Sequence, residues 1–314
     1  MFATLLEDVE IEALLGDAAL ARAMVEVERA LARVQGRLGL IDGVAAARID
    51  QGLAGFVVDL DALAQGVRGS AVPVPALLRQ LRGELAPQLR PLLHLGATSQ
   101  DIVDTALVLQ LRTVLDLLVG RLRAVLEALL DLAGTHERTV MLARTRFQPA
   151  LPTTFGVKVA GWLLPLARHL ARLGELRPRL LVVQLGGAAG TLAPLGDCGT
   201  AVMDELALEL GLASPPMPWH SQRDGLLELA AWLAQVAGLL GKLGTDVLLL
   251  AQGEVAEARE AAGGGSSTLP QKANPIRAEA LVTWPGAPAS SSGRWPAPQS
   301  WRTNGTAPPG RPNG

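Results

Sequence analysis

Between two long apolar stretches the chain places GGGSSTLPQKANP, residues 263–275. A serine hydroxyl is a poor base or nucleophile at neutral pH. It becomes useful when its oxyanion is held by backbone N–H groups or a nearby cation. Glycines let successive N–H groups converge on an anion, and Lys272 follows Ser266 in the same loop. Lysine stands elsewhere only at 158 and 242, while arginine is used freely. A compact ammonium at 272 therefore marks a place where a guanidinium fork does not serve. Composition alone favours a plainer reading, a flexible linker with a stray lysine.

Three other segments join polar groups to a helix start. HLGATSQD, residues 94–101, sets His94, a glycine turn, Thr98 and Ser99 before an apolar run. Free N–H groups and the helix dipole favour a carboxylate there; an ordinary hydroxyl cap with a structural histidine is the alternative. RTRFQPALPTTFG, residues 144–156, offers Arg144, Thr145, Arg146 and Gln148, or is a polar turn. PWHSQRD, residues 218–224, puts His220 and Arg223 before the third long helix, or supplies a cap through Ser221 or Asp224. QLGGAAGTLA at 184 loosely resembles a dinucleotide loop, but it lacks the G-x-G-x-x-G spacing and any βαβ setting. The four histidines and lone Cys198 have no metal-ligand spacing. No metal and no cofactor are expected.

The elements that must position these groups are almost all helical. Apolar residues recur at three- and four-residue steps over 17–38, 74–93, 101–136, 152–181 and 224–262. The only strand candidates are FVVDL at 56 and LVVQLG at 181. Helices this long exceed the usual length of about 11–12 residues, and those apolar nearly all round need partners on every side. The fold class expected is all-α, a long-helix bundle whose faces are covered by other subunits.

Hydrophobic residues make up 49% of the 314 and charged residues 18%, ample for a core, and the net charge of −2 gives no case for nucleic acid or an anionic membrane. The run from Leu226 carries Glu228, Gln235, Lys242 and Asp246, so it reads as a bundle helix rather than a membrane span. An acidic N-terminal segment without a basic region is no signal peptide. With a single cysteine, this fits the cytoplasm. The division expected is an N-terminal helical domain over 1–100, a central bundle over 101–283 and a disordered tail over 284–314. That tail is rich in Pro, Gly and Ser yet holds Trp284, Trp295 and Trp301, and it reads as a shifted frame or an artificial end.

Taken together, the segments resemble the fumarase/aspartase superfamily. Ser266, Ser267, Pro270, Lys272, Asn274, Pro275 and Glu279 match its GSSxMPxKxNPxxxE signature, with Leu269 in place of Met. HLGATSQDIVDTA and RTRFQPALPTTFG resemble its other two shared blocks, in the same order. AMVEVERALARVQGRLGLI is also similar, and the resemblance covers roughly residues 5–283. TSQDIVDTALVLQLR, QLGGAAGTLA and PWHSQRD look most like the superfamily's muconate cycloisomerases, with adenylosuccinate lyase the nearest relative to confuse with them.

The resemblance implies a cofactor-free enzyme acting on a small di- or tricarboxylate. It also implies a homotetramer whose active sites each combine blocks from three subunits. Ser266 would exchange a proton with substrate carbon. Lys272 and Asn274 would hold the carboxylate whose charge grows in the transition state. Thr98 and Ser99 would bind another carboxylate; His94, Thr145, Gln148 and Arg223 would line the pocket. The loop would close over the substrate. Many relatives carry a histidine where this chain has Arg146 or Pro149. A lactonisation needs that acid less, because a carboxylate is already the nucleophile and no poor leaving group is protonated. A lyase releasing fumarate from adenylosuccinate or argininosuccinate would need it more. A reading of another class is an inactive, truncated helical scaffold.

Overall fold

The computed structural model describes residues 7–261, 263–270 and 272–283; the tail read at 284–314 lies outside them. The chain divides into two compact units between Leu239 and Leu240. Each is described by itself.

The first unit opens with α1 (Val9–Leu15), α2 (Asp17–Arg37), α3 (Gly43–Leu53), α4 (Leu60–Ser70) and α5 (Val74–Glu84). Aspartates start three of them: Asp8, Asp42 and Asp59 each accept an N–H of the first turn, as good caps do. Met24, Leu31 and Val34 on α2, Ile49 and Leu53 on α3, and Leu77 and Leu81 on α5 form one buried cluster. It continues onto Ile102 and Ala106 of α6 and onto Leu206 of α8. Arg33 ties α2 to α3 through Asp50 at 2.6 Å and to α8 (Gly199–Leu210) through Glu209 at 2.7 Å.

The long helix α6 (Ser99–Thr135) has 37 residues, about 55 Å at 1.5 Å per residue. A hairpin, β1 (Val140–Thr145) and β2 (Gln148–Thr154), reverses the chain. Helix α7 (Phe155–Leu180) then returns along α6, capped by Thr154. The two helices share a seam of seven-residue period: Val108, Leu115, Leu122 and Leu129 are buried on α6, and Val159, Leu166, Leu173 and Leu180 on α7. That period keeps one apolar stripe facing a partner helix over its whole length. The return is tight, since a Cβ on Gly156 would lie 2.7 Å from the Ala133 carbonyl oxygen. Leu229, Trp232 and Val236 bury the start of α9 (Asp224–Leu250), and the Trp232 indole donates to the His169 carbonyl at 2.9 Å.

Several expectations need correction. The strands fall at 140–145 and 148–154, where none was expected. Their two-residue turn puts Arg146 and Phe147 at φ 50° and 63°, positions usually marked by Asn-Gly, and Pro149 and Pro152 argue against a strand except at an edge. FVVDL forms no strand; it leads into the Asp59 cap. LVVQLG is extended but, among the described residues, bridges only through Val182 with Ala213, because its other polar groups bond α6 and Trp219. Helix α9 ends at Leu250 rather than near 262, so α6 is the longest. Among the described residues α9 is also the one helix long and apolar enough to cross a membrane, and much of it is exposed in this chain.

In the second unit, α9 gives way to turns over 251–261, then the loop, then α10 (Ile276–Thr283). Glu260 caps α10 by accepting the Ala278 N–H at 2.9 Å.

His169 is buried in the α7 seam. Burial, then the charges of Arg172 and Arg168, push its pKa below the ordinary value. The unfolded chain therefore binds this proton more readily than the native one. The stability His169 supports is fully present above its unfolded pKa of about 6.5 and is lost as pH falls below it. Thermal midpoints measured from pH 8 to 5 should fall, and His169→Gln should flatten that fall. An unchanged slope would remove His169 from the account.

Candidate active site

Three segments far apart in sequence meet on one carboxylate. Asp101, 1% exposed in the first turn of α6, accepts the Thr98 N–H at 2.9 Å, which closes the turn from within. It also accepts Gln184 Nε2 at 3.1 Å, the Gly186 and Gly187 N–H groups at 2.9 Å each, and faces His220 Nε2 at 2.7 Å. Gln184 is itself locked. Its backbone exchanges hydrogen bonds with the Thr105 hydroxyl at 3.0 and 2.9 Å, and its side-chain oxygen accepts the Trp219 N–H at 2.7 Å. One turn on, Asp104 accepts Gln100 Nε2 at 2.8 Å and Arg223 Nη1 at 2.9 Å, and Arg223 lies over the Trp219 ring at 5.2 Å. The glycines of 186–187 thus serve an internal carboxylate rather than a cofactor phosphate. Gly187 at φ 69° runs so close to the first block that a Cβ there would lie 2.9 Å from the Gly96 oxygen.

This holds the N-terminus of α6 open. Thr98 is the cap residue and Ser99 the first helical residue, both half-buried. The N–H groups of Ser99 and Gln100 have no partner among the described residues. Free amides, two hydroxyls and the positive end of a 37-residue helix suit a carboxylate. His94 sits beside them at φ 69°, a conformation that costs an ordinary residue about 1 kcal/mol or more. Its Nδ1 lies 2.6 Å from Glu28 Oε1 of α2, and Gln35 Nε2 donates to the Leu95 oxygen at 2.7 Å. Both α2 partners are fully buried.

Thr145 and Gln148 pair with each other across the hairpin turn and are exposed. They follow the far end of α6. A six-residue strand folded straight back recovers only about 20 Å of the helix's ~55 Å. The gap from Thr98 stays on the order of 30 Å, so one chain does not bring the first and second blocks together.

In the second unit the loop is closed at its base, where Gly264 and Asn274 exchange N–H to O=C bonds at 2.8 and 2.7 Å. Glycine is needed there, because a Cβ on Gly264 would lie 2.7 Å from Ile276. The half-buried Ser266 accepts the Leu269 N–H at 3.1 Å through its hydroxyl oxygen. Lys272 is exposed and has no carboxylate partner among the described residues. Ser266, Lys272 and Asn274 therefore share one short, pinned loop.

The sequence alone gives no role to Asp101, His220, Glu28, Asp104 or Gln184, although each lies within a segment discussed above. A signal existed for one of them. Glu28 stands on the apolar stripe of α2 between Met24 and Leu31, where a charge needs a buried partner.

A family model described as lyase matches residues 4–285. The 3-carboxy-cis,cis-muconate cycloisomerase of Pseudomonas aeruginosa is 48% identical over 278 residues, 87% of this chain and 61% of its own length. That of Bradyrhizobium diazoefficiens is 40% identical over 288 residues, 90% and 64%. The crystal structure of the 3-carboxy-cis,cis-muconate lactonizing enzyme from Pseudomonas putida superposes with a TM-score of 0.82 at 40% identity, covering 88% of this chain and 62% of that one. The chain spans less than two thirds of the length of these relatives.

Asp101→Asn keeps the shape but removes the charge and puts an N–H₂ where only acceptors fit. It should lower the unfolding free energy by about 3 kcal/mol or more, read from urea denaturation. A loss under about 1 kcal/mol would mean that this carboxylate does not organise the site.

Proposed function

The chain belongs to the lyase family, and from that premise we propose that it is a cytoplasmic 3-carboxy-cis,cis-muconate cycloisomerase of aromatic catabolism, working without a cofactor. The observation that carries this reading is the carboxylate-receptive N-terminus of α6. Its hydroxyls and free amides are held open by Asp101, in a chain whose relatives bear that enzyme's name.

The chemistry needs little from the protein beyond placement and charge. A substrate carboxylate oxygen bonds to a carbon of the conjugated diene. The displaced π electrons move towards a second carboxyl group as an aci-carboxylate. A proton then adds to the neighbouring carbon, and the lactone is an isomer of the starting acid. Ser266 carries that proton. Lys272 and Asn274 face the carboxyl group whose charge grows, where fixed donors stabilise the transition state more than the ground state. Thr98 and Ser99 hold another carboxylate, with His94, Thr145, Gln148 and Arg223 around the pocket. The absence of a histidine at Arg146 and Pro149 fits a reaction with no leaving group to protonate.

The same reading takes the protein as a homotetramer with each site drawn from three subunits. Two facts support it. The first and second blocks lie at opposite ends of α6. Large apolar side chains also stand uncovered along the bundle, among them Leu130, Val157, Leu164 and Leu227, more than a lone soluble chain leaves exposed without use. The domain division at residues 100 and 283 belongs to this reading as well.

Purified protein should bleach the ultraviolet absorbance of 3-carboxy-cis,cis-muconate, and Ser266→Ala should lower kcat by about 10²–10³-fold or more. Fumarate release from adenylosuccinate or argininosuccinate instead would move the chain to the lyase reading. No turnover of any of the three would leave an inactive scaffold. In solution the mass should be four times that of one chain. Thr98→Ala and Gln148→Ala chains, each impaired alone, should regain activity when mixed; a monomeric mass or no recovery would overturn shared sites.

A further inference from the structure

The network on Asp101 leaves one titratable ring with an unused arm. His220 spends Nε2 on Asp101 at 2.7 Å, yet its Nδ1 has no hydrogen-bond partner among the described residues. The ring cannot turn away, because Asp101 is itself pinned by the backbone of Thr98, Gly186 and Gly187. Glycine at 186 makes room for the ring. A Cβ on Gly186 would lie 2.8 Å from His220 Cε1, and one on Gly190 would lie 3.9 Å from Nδ1. Any other residue at 186 would push the ring off Asp101. The side chain is 24% exposed, and Nε2 is the nitrogen taken up by Asp101.

We infer that His220 is a substrate-binding residue, its Nδ1–H donating to a carboxylate of the substrate while Asp101 holds Nε2–H. The two ring nitrogens lie on separate edges, so one can face Asp101 while the other serves a second partner. The charged groups around it are Asp101 and Asp104 on α6 and Arg223 in its own segment. Arg223 is turned to Asp104 and Trp219, which leaves His220 as the group of that segment with a nitrogen to spare. Thr98 and His220 bind the two oxygens of the same carboxylate, so the ring stands at the first turn of α6. A tricarboxylate substrate needs three receptors. In the shared site proposed above, the loop carrying Lys272 and Asn274, from another subunit, provides one and the helix N-terminus a second; His220 is the third. The inference rests on the reading of the site as a polycarboxylate site, not on lactonisation.

Two near-isosteres separate binding from scaffolding. Gln places its N–H₂ near the position of Nε2 and keeps the bond to Asp101, but it has nothing at Nδ1. Asn places its N–H₂ near Nδ1 and loses Asp101. If His220 binds substrate, His220→Gln should keep the wild-type thermal midpoint and raise KM for 3-carboxymuconate about tenfold, roughly one hydrogen bond to a charge, with kcat changed less. His220→Asn should lower the midpoint and raise KM less than Gln does. The reverse order, Gln like wild type and Asn impaired, would make His220 a strut for Asp101 and overturn the inference. A second arm does not depend on turnover. The chain has four histidines, so single variants assign each imidazole in a ¹H–¹⁵N spectrum. Added propane-1,2,3-tricarboxylate should shift the Nδ1 resonance of His220. A shift without muconate turnover sinks the cycloisomerase reading and keeps this one; no shift at saturating ligand overturns this one.

Discussion

The buried carboxylate of Asp101 is the constraint around which the first unit is arranged. A charge with almost no exposure is tolerated only when donors surround it, and Asp101 collects three backbone N–H groups, a side-chain amide and an imidazole from three stretches of chain. Each donor thereby acquires a fixed position. Thr98 is set as the helix cap, the glycine loop is drawn against α6, and the Trp219–Arg223 segment is folded onto the same turn. Removing the charge would leave five donors without their common acceptor. An open helix N-terminus has to be held by something other than its own first amides, and here a carboxylate inside the first turn does it.

The second constraint is length. A seven-residue apolar period on α6 and α7 makes a seam that runs along both helices. It carries the hairpin with Thr145 and Gln148 far from Thr98 and Ser99. The proposed site shared among chains accommodates that separation, since α6 has the first block at one end and the second at the other. The uncovered apolar side chains on α6, α7 and α9 support the same proposal of several chains packed together. The loop in the second unit follows a different rule. Its base is closed by a pair of backbone bonds between Gly264 and Asn274, which brings Asn274 and Ser266 into one compact turn.

The local pattern along the chain settled the class of fold. Apolar residues at helical spacing gave the long helices of the bundle to within a few residues at their starts, since burial of one stripe needs only that spacing. It also set the chemical vocabulary: a serine and a lysine in a glycine loop, and hydroxyls at a helix start. Turn chemistry was less legible. The hairpin turns on Arg146 and Phe147 in left-handed backbone, where no glycine or asparagine announces it, and the end of α9 at Leu250 has no proline to mark it. What only the tertiary structure decided is which of these groups meet. His220 and Asp101 are 119 residues apart and Gln184 and Asp101 are 83 apart. No periodicity links positions so distant; a buried charge and the donors that satisfy it are matched only when the helices carrying them pack.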